Sequence, residues 1–198
     1  MTQTIKTARW RALAACGLAV GLVLSSPAAS VAAQAPVAPA AAPDGQHDFD
    51  FEFGPWKAHL KRLLHPLSGS TTWVELDGTS VVRKVWGGRA NLGEFKADNA
   101  TSHIQGISLR LYNPETRQWS LYWANAADGG LTLPLVGGFK DGRGEFLNHD
   151  TLNGKPIMAR FIISDLAADT FKLEQAFSPD EGKTWEVNWI ATFTREKA

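Results

Sequence analysis

Hydrophobic and polar residues alternate with a period of two along most of the chain after residue 47. Trp119, Leu121 and Trp123 are separated by more polar neighbours, and the segments 157–163 and 171–177 follow the same pattern. Successive side chains on an extended strand point to opposite faces, so this period predicts strands that bury one face. Apart from a single turn near residues 47–53, no segment has a convincing helical period.

Turn-forming residues separate the alternating runs at short intervals, as in Asp77-Gly78, Asp141-Gly142 and Asn153-Gly154. These residue types supply the positive φ angles or side-chain caps that hairpins need. An antiparallel meander of this length closes best as a barrel, because closure removes exposed edges. We therefore predict an all-β fold, a single antiparallel up-and-down barrel of about ten strands. Eleven segments carry the pattern, and merging one pair of them gives ten strands: 56–64, 69–76, 79–86, 91–97, 104–112, 118–125, 132–139, 144–149, 156–164, 170–177 and 185–194.

The first 33 residues have the order of charges and apolar residues that is typical of a signal peptide. Lys6, Arg9 and Arg11 precede the apolar run ALAACGLAVGLVL, and the small residues SSPAASVAA follow. We predict cleavage near Ala33 or Ala35 and a secreted or periplasmic protein. The apolar run is too short to span a bilayer as a mature helix, so we expect no membrane span in the mature form.

The only cysteine of the chain, Cys16, lies inside this leader. Leu13-Ala14-Ala15-Cys16 resembles a lipobox, the signal for lipidation of the cysteine. However, Arg11 lies five residues before the cysteine and leaves almost no apolar segment upstream. We therefore assign Cys16 to the signal peptide, which leaves the mature protein without a disulfide or a reactive thiol.

The remainder divides into a linker and one domain. Residues 34–46 are rich in alanine and proline and predict an extended tether, and residues 47–198 have the length of one barrel domain. Without the leader's three basic residues, 17 basic and 20 acidic side chains remain, a net charge of about −3. This balance argues against a nucleic-acid partner, because such proteins need a basic face.

Two short motifs at the ends of the domain suggest a family. Gly54-Pro55-Trp56 resembles the G-x-W motif that starts the first strand of calycin barrels, the lipocalin and fatty-acid-binding group. The resemblance implies that Trp56 plugs the closed end of a barrel and that Arg195, just after the last strand, covers its ring. A guanidinium over an indole contributes about 0.5–2 kcal/mol.

Three longer stretches resemble the DUF1579-type family, a group of bacterial calycin-like proteins of unknown function. They are DFDFEFGPW, SLRLYNPETRQWSLYWAN and LEQAFSPDEGKTWEVNWIATFTRE, which together run across most of residues 47–197. The resemblance implies a barrel with an interior cavity, and it carries no defined activity.

The segment SPDEGKTWE resembles the Asp-box, a hairpin motif of sialidase propellers. A propeller would repeat this motif once per blade, whereas this chain contains one copy and is too short for six blades. We therefore predict that Ser178, Asp180, Gly182 and Trp185 stabilise a turn and have no catalytic role.

Polar side chains on the strands are the candidates for a binding site. Strand alternation places Arg110 and Tyr112 on one face of their strand, and it sets Arg160, Glu174 and Asn188 opposite apolar neighbours. In an interior position the arginines would bind a carboxylate, with Glu174 and Tyr112 in acid–base roles. In an exterior position the same residues would form ion pairs of little energy.

Seven tryptophans fall within the domain. Trp119 with Trp123, and Trp185 with Trp189, are four residues apart and so share a strand face. These four tryptophans would either line an apolar cavity or pack an ordinary core, and Trp123 is our candidate for ligand contact. Scattered histidines without a metal-binding spacing, and the lack of any nucleotide motif, lead us to expect no metal and no cofactor.

Three functions remain open from the sequence. The leading prediction is a small hydrophobic or amphipathic ligand bound in the barrel. One alternative is an enzyme that uses Glu174, Tyr112 and Arg110 in acid–base chemistry on a small carboxylated or phenolic compound. The other is an interaction module whose barrel is packed solid, and the sequence gives no oligomeric state.

Overall fold

The computed structural model describes residues 44–197, which form a closed antiparallel β-barrel of ten strands. Each strand pairs with its neighbours in sequence, and the first also pairs with the last. The predicted signal peptide and residues 34–43 of the predicted linker lie outside the described residues. The strands are β1 (Gly54–Leu63), β2 (Trp73–Val85), β3 (Ala90–Asp98), β4 (His103–Asn113), β5 (Gln118–Asn125), β6 (Leu135–Lys140), β7 (Arg143–Leu152), β8 (Lys155–Ser164), β9 (Thr170–Ser178) and β10 (Glu186–Arg195).

The largest difference from the predicted strand ranges lies in β2, while the predicted starts at 69 and 132 also precede the observed starts at Trp73 and Leu135. A turn was expected at Asp77-Gly78, but β2 runs through this pair without interruption. A Cβ atom on Gly78 would lie 1.9 Å from the backbone oxygen of Lys96 on β3. The glycine therefore permits a close approach of two strands, and the two predicted segments 69–76 and 79–86 become one strand.

The first and last strands close the barrel beside a buried tryptophan. Trp56 is opposite Arg195 in the β1–β10 pairing, and the guanidinium carbon lies 4.1 Å from the centroid of the indole. Arg195 also donates hydrogen bonds to the backbone oxygens of Phe51, Phe53 and Ala168, at 2.7, 3.0 and 3.2 Å. This is the arrangement that the calycin resemblance implies.

The segment before β1 covers one end of the barrel. It contains a short 3-10 helix, Asp50–Glu52, and its Phe49 ring packs edge-on against Trp119 and Phe139 with centroids 4.9 and 5.1 Å apart. Backbone oxygens of this segment also accept hydrogen bonds from barrel side chains. Trp119 donates to Gly45 at 2.9 Å, so residues assigned to the linker contact the barrel.

The opposite end is framed by loops alone. Because the strands alternate in direction, the connections 64–72, 99–102, 126–134, 153–154 and 179–185 meet there. We refer to it as the open end and to the end under Phe49 as the closed end. No helix among residues 44–197 has the length and hydropathy needed to cross a membrane.

Candidate functional site

A cavity of about 300 Å³ lies inside the barrel. Every strand except β1 contributes to its lining, and Glu52 from the 3-10 helix reaches it from the closed end. Ligand pockets in proteins are typically about 300–1,000 Å³, so the space suits a small molecule. The barrel is thus not packed solid, which removes the basis for the third function considered from the sequence.

Aromatic rings form much of the cavity wall. Phe95 lies at their centre, with ring centroids 6.1 Å from Trp123, 6.4 Å from Trp189 and 6.5 Å from Phe193. Phe161 lines the space as well. Aromatic side chains offer large apolar areas for contact with a ligand. They have only two rotatable bonds, so they lose little conformational entropy when a ligand binds.

A buried ion pair forms the polar floor of the cavity. Arg110 on β4 contacts both carboxylate oxygens of Glu52, with Nη2 donating to Oε1 at 2.9 Å and Nη1 donating to Oε2. Arg110 Nη1 also donates to Asn91 Oδ1 at 3.4 Å. The side chains of Glu52 and Arg110 are 4% and 7% exposed, so the pair is shielded from solvent.

Two N–H groups of Arg110 remain available. A guanidinium carries five N–H donors, and Glu52 and Asn91 occupy three of them. Among the described residues, Arg110 Nε and the second hydrogen of Nη2 have no partner. The guanidinium carbon lies over the Phe49 ring, 4.6 Å from its centroid. Arg110 can therefore offer a hydrogen bond to a ligand in the cavity.

Polar side chains also line the wall toward the open end. Asn148 on β7 donates to the backbone oxygen of Leu133 at 3.3 Å, while its buried Oδ1 has no hydrogen-bond partner among the described residues. Gln175 on β9 donates to Asn188 Oδ1 at 2.9 Å. Asn188 is buried and holds Gln175, which lines the cavity, whereas Asn188 itself does not.

Tyr112 and Trp119 face inward but lie at the closed end, beyond the cavity. The Tyr112 hydroxyl donates to the backbone oxygen of Asp44, and its ring packs on Trp119 at 5.3 Å. Burial and the nearby Asp44 carboxylate raise the pKa of Tyr112 above its ordinary value. The hydroxyl is thus neutral and engaged with the backbone, away from any ligand in the cavity.

Arg160 and Glu174 lie on the outer face of the barrel, which is the second of the two positions considered for them. Their strand neighbours Ala159, Phe161 and Leu173 line the cavity instead. Glu174 Oε2 pairs with Lys172 Nζ at 3.1 Å. The structure therefore does not bring Glu174, Tyr112 and Arg110 together, and the acid–base set considered for an enzyme is not assembled.

The Asp-box segment forms the hairpin turn between β9 and β10. Ser178 Oγ donates to Asp180 Oδ1 at 2.8 Å and accepts from the Gly182 backbone N–H at 2.8 Å. Trp185 Nε1 donates to the Gly182 oxygen at 3.0 Å, and Arg160 stacks on the Trp185 ring at 4.1 Å. All of these contacts lie within the turn or outside the barrel, so Trp185 does not line the cavity.

The residues of the site that sequence reasoning missed include Glu52, Asn91, Asn148 and Phe95. Glu52 is the last of three acids that alternate with phenylalanines in DFDFEF, directly before the barrel-closing Gly54-Pro55-Trp56, and nothing in the sequence distinguishes it from Asp48 and Asp50. Of the three, only Glu52 is buried, and a buried carboxylate needs a partner such as Arg110. Among residues 44–197, no group of three or more His, Cys, Asp or Glu side chains could hold a metal ion.

Comparison with known proteins supports the fold. The chain is similar to the solved structure of an S-type phycobiliprotein lyase, CPES, from Guillardia theta, with a TM-score of 0.52 and 14% identity. The match covers 77% of this chain and 93% of that one. No family model matches the chain, and no curated protein matches it either. At this identity the likeness shows a shared barrel fold, and the DUF1579-type assignment stays a prediction.

Proposed function

We propose that this protein binds a small amphipathic molecule inside its barrel. The observation that carries the proposal is the cavity of about 300 Å³, with aromatic walls and a floor at which Arg110 has free N–H donors. An apolar ligand body would leave water for the wall formed by Phe95, Trp123 and Trp189. Each buried methylene group contributes about 0.8 kcal/mol to such a transfer.

The polar groups of the cavity would orient the ligand. Arg110 lies at the closed side and Asn148 lies nearer the open end, so a ligand would meet a donor at one side and an unpaired acceptor at the other. A few polar groups in an otherwise apolar cavity are the usual way in which a site fixes orientation. No observation favours catalysis as a second function.

Filling the cavity tests the proposal. Ala191 on β10 lines the cavity, whereas its neighbour Thr192 is exposed on the outer face. We expect Ala191→Leu to weaken binding of 1-octanol by about tenfold or more, because the added side chain occupies the ligand's space. Thr192→Leu adds a leucine to the same strand and should leave the dissociation constant unchanged.

Tryptophan fluorescence or calorimetry measures these affinities, and thermal melting shows whether both variants fold. If the two variants bind 1-octanol with equal affinity, the ligand does not occupy the cavity and the proposal is wrong.

We also propose that the protein is exported, as the charge and hydropathy order of residues 1–33 predicts. The leader lies outside the described residues, so the support is the sequence pattern alone. N-terminal sequencing of the protein from cells tests the proposal, and an intact Met1 on the stable form would contradict it.

A further inference from the structure

The charges around the cavity point to the class of ligand. Among residues 44–197, three ionisable side chains other than tyrosine line the cavity, namely Arg110, Glu52 and Asp150. Arg110 is the only cation among them, and Glu52 already neutralises it through both carboxylate oxygens. The lining is therefore neutral at its floor and negative in total.

We infer that the cavity selects an uncharged ligand with a hydroxyl or carbonyl acceptor, and that it disfavours carboxylates. This inference rests on the proposed function. It revises the sequence-based expectation that Arg110 binds a carboxylate, because Arg110 is already paired with the Glu52 carboxylate.

The geometry of the ion pair gives the physical reason. A carboxylate that reached the free N–H groups of Arg110 would lie beside the Glu52 carboxylate, and one cation would face two anions. The interior provides little solvation to offset the repulsion, and an anion loses its own hydration when it enters. A hydroxyl or carbonyl oxygen accepts from the same N–H groups without either cost.

The remaining polar groups agree with an uncharged ligand. Ser108 on β4, the strand of Arg110, and Ser80 on β2 also line the cavity and offer neutral hydroxyls. The unpaired Oδ1 of Asn148 is an acceptor, so it would meet a hydroxyl or amide donor and would repel a carboxylate. No residue of this set adds positive charge.

Matched eight-carbon ligands test the inference at pH 7. We expect 1-octanol to bind the wild-type protein about tenfold more tightly than octanoate, as measured by calorimetry. Glu52→Gln keeps the shape of the side chain and removes its charge, which leaves Arg110 uncompensated. In this variant we expect octanoate to gain about tenfold and to bind at least as tightly as 1-octanol.

Glu94→Gln is the control, because Glu94 pairs with Arg83 on the exposed surface, where both side chains are more than half exposed. It removes the same charge and should leave the order of the two ligands unchanged. If octanoate binds the wild-type protein as tightly as 1-octanol does, the charge inference fails while the proposed function stands. If neither ligand binds, the proposed function fails as well. The wild-type comparison decides the matter even if Glu52→Gln does not fold.

Discussion

Asp180 shows how one side chain organises a loop. Its carboxylate accepts hydrogen bonds from the backbone N–H of Thr184 at 2.8 Å, from the Thr184 hydroxyl at 2.7 Å and from Ser178 Oγ at 2.8 Å. These bonds lower the pKa of Asp180 to about 2, with the Thr184 backbone bond as the largest cause. Hydrogen bonds to the charged form of a carboxyl group favour that form.

The lowered pKa predicts a pH dependence of stability. Because the folded pKa of Asp180 lies below its unfolded value, its contribution to stability is complete above the unfolded pKa and is lost as pH falls through about 2. We expect Asp180→Asn to lower the melting temperature at pH 7, and we expect the difference from wild type to shrink toward pH 2.

Glu181→Gln, at an exposed position in the same turn, is the matched control and should melt like wild type throughout. Scanning calorimetry at several pH values measures both effects. A wild-type advantage over Asp180→Asn that stays constant down to pH 2 would contradict the account of this turn.

Gly106 explains how a tryptophan fits the cavity wall. A Cβ atom at this position would lie 2.4 Å from the Trp123 ring, so the indole occupies space that any other residue would take. The glycine on β4 thus lets the ring lie against the backbone of its own sheet. This part of the cavity wall therefore depends on two residues of paired strands, the glycine on β4 and the tryptophan on β5.

The strand β6 depends on a similar close approach. Gly137 pairs with Phe146 of β7, and a Cβ atom on Gly137 would lie 1.9 Å from the backbone oxygen of Glu145. The neighbouring Gly138 has only one atom within 4 Å of such a Cβ, the Arg117 oxygen at 3.9 Å. A side chain therefore has space at position 138 but would clash with the backbone of β7 at position 137.

This difference predicts opposite effects of alanine. Gly137→Ala forces two strand backbones apart and should destabilise the protein by about 1–3 kcal/mol, in the range of overpacked sites. Gly138→Ala should be neutral or stabilise by up to about 1 kcal/mol, because it restricts the unfolded chain. Urea denaturation measures both, and equal stabilities for the two variants would contradict the pairing of β6 with β7.

The strands were the most predictable feature of this sequence, since alternation and turn residues are local signals. The closed ten-stranded barrel follows from them. The exception was Asp77-Gly78, because a glycine that permits a close approach has the same sequence signature as a glycine in a turn. That distinction depends on β3, which is distant in sequence.

The faces of the strands were not predictable. On β4 the polar residues Ser108 and Arg110 point inward, whereas on β9 the polar Glu174 points outward and Leu173 points inward. Polar and apolar residues alternate equally well on both strands, and the alternation alone does not indicate which face of a strand points into the barrel. The Glu52–Arg110 ion pair was not predictable either, because its two residues lie 58 positions apart in the sequence.

The two ends of the barrel differ in how much apolar surface they expose. The closed end is stabilised by Phe49, Trp56 and Arg195 and buries its aromatic rings. The open end exposes apolar side chains, including Leu131 and Leu133, each 61% exposed. Leu133 also lines the cavity, so apolar surface is continuous from the rim to the interior. A ligand would enter from this end and stop at the Arg110–Glu52 floor.

The most direct test of the account is a titration of the protein with 1-octanol, followed by the NMR signals of the tryptophan indole N–H groups. We expect the signals of Trp123 and Trp189 to shift, because both rings line the cavity. The signals of Trp56 and Trp119 should stay in place, since their N–H groups are bonded to backbone oxygens at the closed end. Shifts confined to the exposed Trp73 and Trp86, or no shift at saturating 1-octanol, would contradict a ligand inside the barrel.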